Sequence, residues 1–132
     1  MVKNLPAGTV STISKTPQNL IQNIIHGIQE KKGYDIVTFD LSKIQNSVSS
    51  NFIICHGDNI IQVDAIAQSV MDTTIKEMGE KPVYKEGLEN KEWILLDYID
   101  VVVHIFLKDK REYYGIEDLW ADAQIQKIAS NY

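Results

Sequence analysis

The stretch from Trp93 to Leu107 constrains the fold more than any other part of the chain. Two apolar runs, Trp93-Ile94-Leu95-Leu96-Asp97-Tyr98 and Val101-Val102-Val103-His104-Ile105-Phe106-Leu107, flank the short break Ile99-Asp100. Both are rich in β-branched and aromatic residues, and they read as a hairpin of interior strands covered on both faces. Along the first of these strands Trp93, Leu95 and Asp97 share one face, while Ile94, Leu96 and Tyr98 share the other. No apolar run approaches the ~20 residues that would span a bilayer.

The flanking segments supply the cover. Thr16 suits an N-cap, Pro17 the first helical position, and Gly33 a stop, which predicts a helix carrying the stripe Leu20, Ile21, Ile24, Ile25, Ile28. Asp35 to Leu41 reads as a strand, Ser42 to Asn51 as a polar connection, and Phe52 to His56 as a second strand ended by Gly57. Asn59 with Gln62 three residues on predicts a capping box. The helix it opens buries Val63, Ile66, Ala67, Val70, Met71 and Met78 and stops at Gly79. Lys81-Pro82-Val83-Tyr84-Lys85 reads as an edge strand, blunted by lysine and proline. Gly87 to Lys91 forms a loop, and Ile116, Leu119, Trp120, Ala123 and Ile128 predict a terminal helix. The order α-β-β-α-β-β-β-α gives an α+β domain over residues 16–132, a mixed sheet of about five strands flanked by helices. Residues 1–15 read as a flexible polar tail, with neither the arginine nor the apolar face of a transit peptide.

Charge and cysteine content narrow the partners. Thirteen basic residues, of which Arg111 is the single arginine, stand against eighteen acidic ones, for a net −5. A phosphate-gripping surface needs a basic face, so direct nucleic-acid binding is not expected. An acidic surface suits docking on a basic protein. The lone Cys55 excludes an internal disulfide and any cysteine-pair zinc site, and it fits a reducing compartment, which places the protein in the cytoplasm.

A search for catalytic chemistry returns little. His26, His56 and His104 have no metal-ligand spacing, and Cys55 and His56 are adjacent in a strand, so they face opposite sides. Cys55 is expected as a buried thiol and His104 as a hydrogen-bonded sheet histidine. No glycine-rich phosphate loop occurs; Gly57-Asp58-Asn59 places a carboxylate where an anion would sit. Two-metal phosphoryl transfer needs convergent carboxylates, usually Asp-x-Asp on a strand. No two acidic residues here are separated by one position. Asp97 and Asp100 flank a turn, where they either cap it or form an acidic patch. No metal or cofactor is expected. The row Trp93, Leu95, Asp97 is either core with a solvent edge or an interface patch, since aromatic anchors beside a charge are what interfaces use.

Glu92 to Phe106 closely resembles the signature of the ribosomal silencing factor (Iojap-like) family. Arg111-Glu112-Tyr113-Tyr114 followed by Glu117-Asp118-Leu119-Trp120 resembles that family's ending, and Asp40-Leu41, Phe52-Ile53-Ile54-Cys55, Gly57 and Gln62-Val63-x-Ala65-Ile66 fall in the expected order. The resemblance runs from about Thr16 to Ala123. It implies a nucleotidyltransferase-like but non-catalytic fold. It implies binding to the large ribosomal subunit through ribosomal protein uL14, obstruction of subunit joining, and repression of translation when nutrients run short. Organelle relatives act in large-subunit assembly. Carried onto this chain, the contact surface is Trp93, Leu95 and Asp97, with Tyr98 and Asp100 at the adjoining turn and Tyr113 as an extension. One departure stands out: Ile99 occupies a position where many members have Gly, so the turn is not expected to use positive φ readily. Two rivals stay open, a divergent nucleotidyl- or phosphotransferase and a homodimer using the same apolar face.

Overall fold

A computed structural model describes residues 16–44, 49–130 and 132. The tail expected over residues 1–15, and part of the polar connection after Leu41, lie outside the described residues. The first helix, α1 (Pro17–Glu30), starts as the local chemistry requires. Thr16 is extended, its hydroxyl accepts from the Asn19 amide at 3.3 Å, and Pro17 fills the first turn. Its stripe of Leu20, Ile21, Ile24, Ile25 and Ile28 is buried. After β1 (Tyr34–Asp40) and β2 (Asn51–Gly57) comes α2 (Ile60–Met78), which buries Val63, Ile66, Ala67, Val70, Met71 and Met78. Asn59 caps it through the Gln62 amide at 2.9 Å. The return bond of the expected box differs by one residue: the Gln62 carboxamide oxygen accepts from the Asp58 amide rather than from Asn59. The Gln62 nitrogen meanwhile donates to the carbonyls of Lys31 and Lys32, tying the end of α1 to the start of α2.

Gly27 is where the two helices touch. A Cβ there would stand 2.8 Å from the Val70 Cα and 3.1 Å from the Ser69 carbonyl, closer than real side chains come. The Ser69 hydroxyl uses that proximity, donating to the Gly27 carbonyl at 2.7 Å.

The remaining elements are β3 (Tyr84–Glu86), β4 (Trp93–Asp97), β5 (Val101–Leu107), α3 (Lys108–Tyr114), α4 (Ile116–Leu119) and β6 (Gln124–Lys127). The sheet runs β3-β4-β5-β2-β1-β6; β2 and β5 pair parallel and the other neighbours antiparallel. The fold is α+β with a mixed sheet and flanking helices. Among the described residues no helix is long and apolar enough to cross a membrane.

Three expectations need correction. Among the described residues the sheet has six strands, because the segment read as the end of a terminal helix is β6. All four of its side chains are exposed, so no apolar periodicity marks it; what orders it is backbone pairing with the open edge of β1. The helical signal from Ile116 to Leu119 survives as the single turn α4, while α3, with no buried residue, had no apolar stripe to announce it. Finally, β5 is buried on both faces but β4 on one only: Ile94 and Leu96 are enclosed, whereas Trp93, Leu95 and Asp97 are half-exposed.

That asymmetry follows from where the helices lie. The larger core cluster joins α1 and α2 to one sheet face through Ile36, Ile53, Cys55, Ile94, Leu96, Val101, Val103 and Ile105. On the other face a smaller cluster gathers Val37, Phe39, Leu41, Ile54, Phe106 and Ile116, with Phe52, Trp93 and Trp120 half-buried against it. Cys55 faces the larger cluster, where burial pushes its thiol up to about 12. His56 faces the other side and meets Arg111.

Candidate functional site: the outer face of β4

Alternation along β4 turns Trp93, Leu95 and Asp97 outward, and pairing on both sides widens them into a band. Glu86 lies beside Leu95 and Tyr84 beside Asp97 on β3, while Phe106, His104 and Val102 lie beside Trp93, Leu95 and Asp97 on β5. The Trp93 ring centre is 5.0 Å from Phe106, 4.8 Å from Tyr114 and 5.9 Å from His104. Its indole N–H donates to His104 Nδ1 at 3.1 Å. Phe52 meets His104 edge-on at 4.7 Å and Trp120 at 5.6 Å, so aromatic contacts run unbroken from Tyr113 to Trp120. The expectation for His104 holds in that Nδ1 is bonded. The ring is buried, and burial pushes its pKa down to about 4, so it is neutral at pH 7.

Beside Trp93 a depression of about 300 Å³ opens between Glu86, Gly87, Asn90, Glu92, Leu95 and Tyr114. Its walls are aromatic and aliphatic and its rim carries two carboxylates. Tyr84 donates to Glu86 at 3.0 Å, which holds the phenol above its ordinary range. Lys110 approaches Glu92 at 3.9 Å.

The sequence-derived residues divide. Trp93, Leu95 and Asp97 are brought together. Asp97 Oδ1 accepts from the Ile99 amide at 2.8 Å, so this carboxylate caps the turn while lying on the band. Ile99 adopts φ +77 and is exposed, which corrects the expectation that isoleucine would keep the turn from positive φ. Asp100 is exposed at the turn, and its carbonyl accepts from the Ser50 and Asn51 amides at 3.0 and 3.1 Å. Tyr98 does not join the band. Only 7% exposed, it points to the helices, where its hydroxyl bonds Thr74 at 2.9 Å and burial pushes its pKa up to about 12. The reason is the alternation itself, since Tyr98 is out of phase with Trp93. Tyr113 is 76% exposed and reaches the band through Tyr114, against which it packs edge-on at 5.2 Å.

Tyr84, Glu86 and Tyr114 belong to the band but were not singled out from the sequence. The first two arrive by strand pairing, which has no local signal. Tyr114 arrives because Arg111 anchors α3: its Nε and Nη2 donate to Glu117 at 2.6 and 3.3 Å, and Nη1 meets His56 Nδ1 at 3.0 Å. The chain's single arginine is thus engaged within the fold. The spacing of Arg111, Tyr114 and Glu117 was the available clue. Among the described residues no group of three or more His, Cys, Asp or Glu side chains is placed to hold a metal ion.

Comparison with known proteins gives a consistent result. A family model described as "Ribosomal silencing factor during starvation" matches residues 14–131. The ribosomal silencing factor RsfS of Halalkalibacterium halodurans is 39% identical over 106 residues, 80% of this chain and 89% of the relative. That of Bacillus subtilis is 42% identical over 99 residues, 75% of this chain and 82% of the relative. A crystal structure of a Chromobacterium violaceum protein superposes with a TM-score of 0.75 at 38% identity, covering 89% of this chain and 93% of that one. Both the sequence and the fold place it alike: the chain belongs to the ribosomal silencing factor RsfS family.

Proposed function

We propose that this protein docks on the large ribosomal subunit through ribosomal protein uL14, blocks joining of the small subunit, and so damps translation under nutrient limitation. The observation that supports this reading best is the β4 band, half-exposed, aromatic at its centre and acidic at its rim. Interfaces place their energy in such desolvated aromatic anchors ringed by polar groups. Trp93 and Leu95 act as the anchor, with Tyr84, Tyr113 and Tyr114 around them. Asp97, Asp100, Glu86 and Glu92 face lysine or arginine of the partner. A carboxylate accepts several hydrogen bonds, so Asp97 both caps its turn and meets the partner. The net charge of −5 favours encounter with a basic surface. The protein acts in the cytoplasm as a steric factor rather than as an enzyme. An assembly role on the large subunit would use the same surface.

The test is co-sedimentation with purified large subunits, followed by subunit joining measured by light scattering. Wild type is compared with Leu95→Ala, Asp97→Asn and Trp93→Ala, each checked by thermal melting. Loss of a central aromatic anchor costs about 2 kcal/mol, roughly thirtyfold in affinity. Asp97→Asn keeps an acceptor for the Ile99 amide and removes only the charge. Wild type that neither sediments with the subunit nor slows joining overturns the reading. Binding untouched by all three substitutions moves the contact to another face.

A further inference from the structure

We infer that His104 is a positioning residue for the docking face: it holds the Trp93 indole in one orientation, so the anchor is ordered before the partner arrives. This rests on the β4 reading above. His104 sits mid-strand on β5, 4% exposed, beside Leu95 in the pairing register. Because its Nδ1 accepts from the Trp93 N–H, the neutral ring carries its own proton on Nε2. That Nε2 is buried and meets no hydrogen-bond partner among the described residues. A buried unpaired donor destabilises a fold, and the surroundings, with Phe52 at 4.7 Å and Phe106 at 6.4 Å, would suit an apolar side chain. The histidine therefore earns its place through Nδ1.

What Nδ1 does is directional. Stacking of Trp93 on Phe106 and Tyr114 sets the plane of the indole, whereas the N–H bond to Nδ1 is made by one edge of the ring alone. Fixing a large side chain beforehand removes the ordering cost that association otherwise incurs.

The test uses the full chain with His104→Leu and His104→Asn. Leucine keeps the apolar volume without an acceptor; asparagine restores an acceptor at the δ position. The first readout is hydrogen exchange of the Trp93 indole N–H by NMR, separated from Trp120 with Trp120→Phe. The second is affinity for purified large subunits. His104→Leu is expected to melt no lower than wild type, to lose indole protection, and to bind about three- to tenfold more weakly. His104→Asn should recover part of both. An unprotected indole in the wild type, or wild-type affinity in His104→Leu, overturns the inference alone. Failure of the wild type to bind overturns the β4 reading with it. Should His104→Leu not fold, the wild-type exchange and His104→Asn decide.

Discussion

Acidification should destabilise this protein through His104, and the size of the effect follows from its burial. The unfolded chain's histidine titrates at its ordinary value of about 6.5, and in the fold burial lowers it to about 4. Between those values the unfolded state binds a proton that the folded state refuses, so stability is fully present above pH 6.5 and falls as pH drops through the window. Each tenfold difference in proton affinity is about 1.4 kcal/mol. The loss is therefore about 2 kcal/mol by pH 5 and about 3 kcal/mol below pH 4, a large share of a small domain's 5–15 kcal/mol. The assay is urea unfolding at pH 8 and pH 5, wild type beside His104→Leu. Other titrating groups, including His56, whose pKa burial and Arg111 also lower, are common to both chains and cancel in the difference. The variant should lose about 2 kcal/mol less than wild type over that interval. Equal losses would refute the assignment of a neutral, desolvated His104. Protonation would also make Nδ1 a donor and break its bond with Trp93, so the indole fluorescence of the folded protein should shift only near pH 4, where the folded ring takes up its proton.

Three further outcomes are expected. Ile99→Gly should raise stability by about 1 kcal/mol in thermal melts, since a β-branched residue at φ +77 is strained by more than glycine's added chain entropy costs. Tyr98→Phe should cost about 1 kcal/mol in chemical unfolding, the worth of its hydroxyl bond to Thr74, and leave ribosome binding unchanged because it faces the helices. Gly27→Ala should destabilise by about 1–3 kcal/mol, because the added methyl meets the α2 backbone rather than a movable side chain; an unchanged melting temperature would mean that α1 and α2 separate easily.

Much of this architecture was written in local chemistry. Thr16 with Pro17, and Asn59 with Gln62, announce helix starts because backbone N–H groups there need acceptors within three residues. Their stripes then say which side is buried. The alternation in β4 places Trp93, Leu95 and Asp97 together and Tyr98 opposite them, and the structure keeps that division even though resemblance to the family had put Tyr98 at the contact. The end of the chain was less legible. In α3 and β6 no side chain is buried, so neither has a hydrophobic period; one is pinned by Arg111 and the other by the free edge of β1.

The family's signature could likewise be read from one contiguous stretch, Glu92 to Phe106, and the likeness to RsfS proteins bears it out. The make-up of the band could not. Tyr84 and Glu86 reach Leu95 and Asp97 only through β3–β4 pairing, and Tyr114 reaches Trp93 only because Arg111 docks α3 against β2. Nor does the string of letters show that His104 Nδ1 is bonded while Nε2 meets no partner among the described residues. Caps and periods are short-range, set by the backbone's own geometry. Which side chains meet across strands depends on register and helix placement, which are settled by the packing of the whole core.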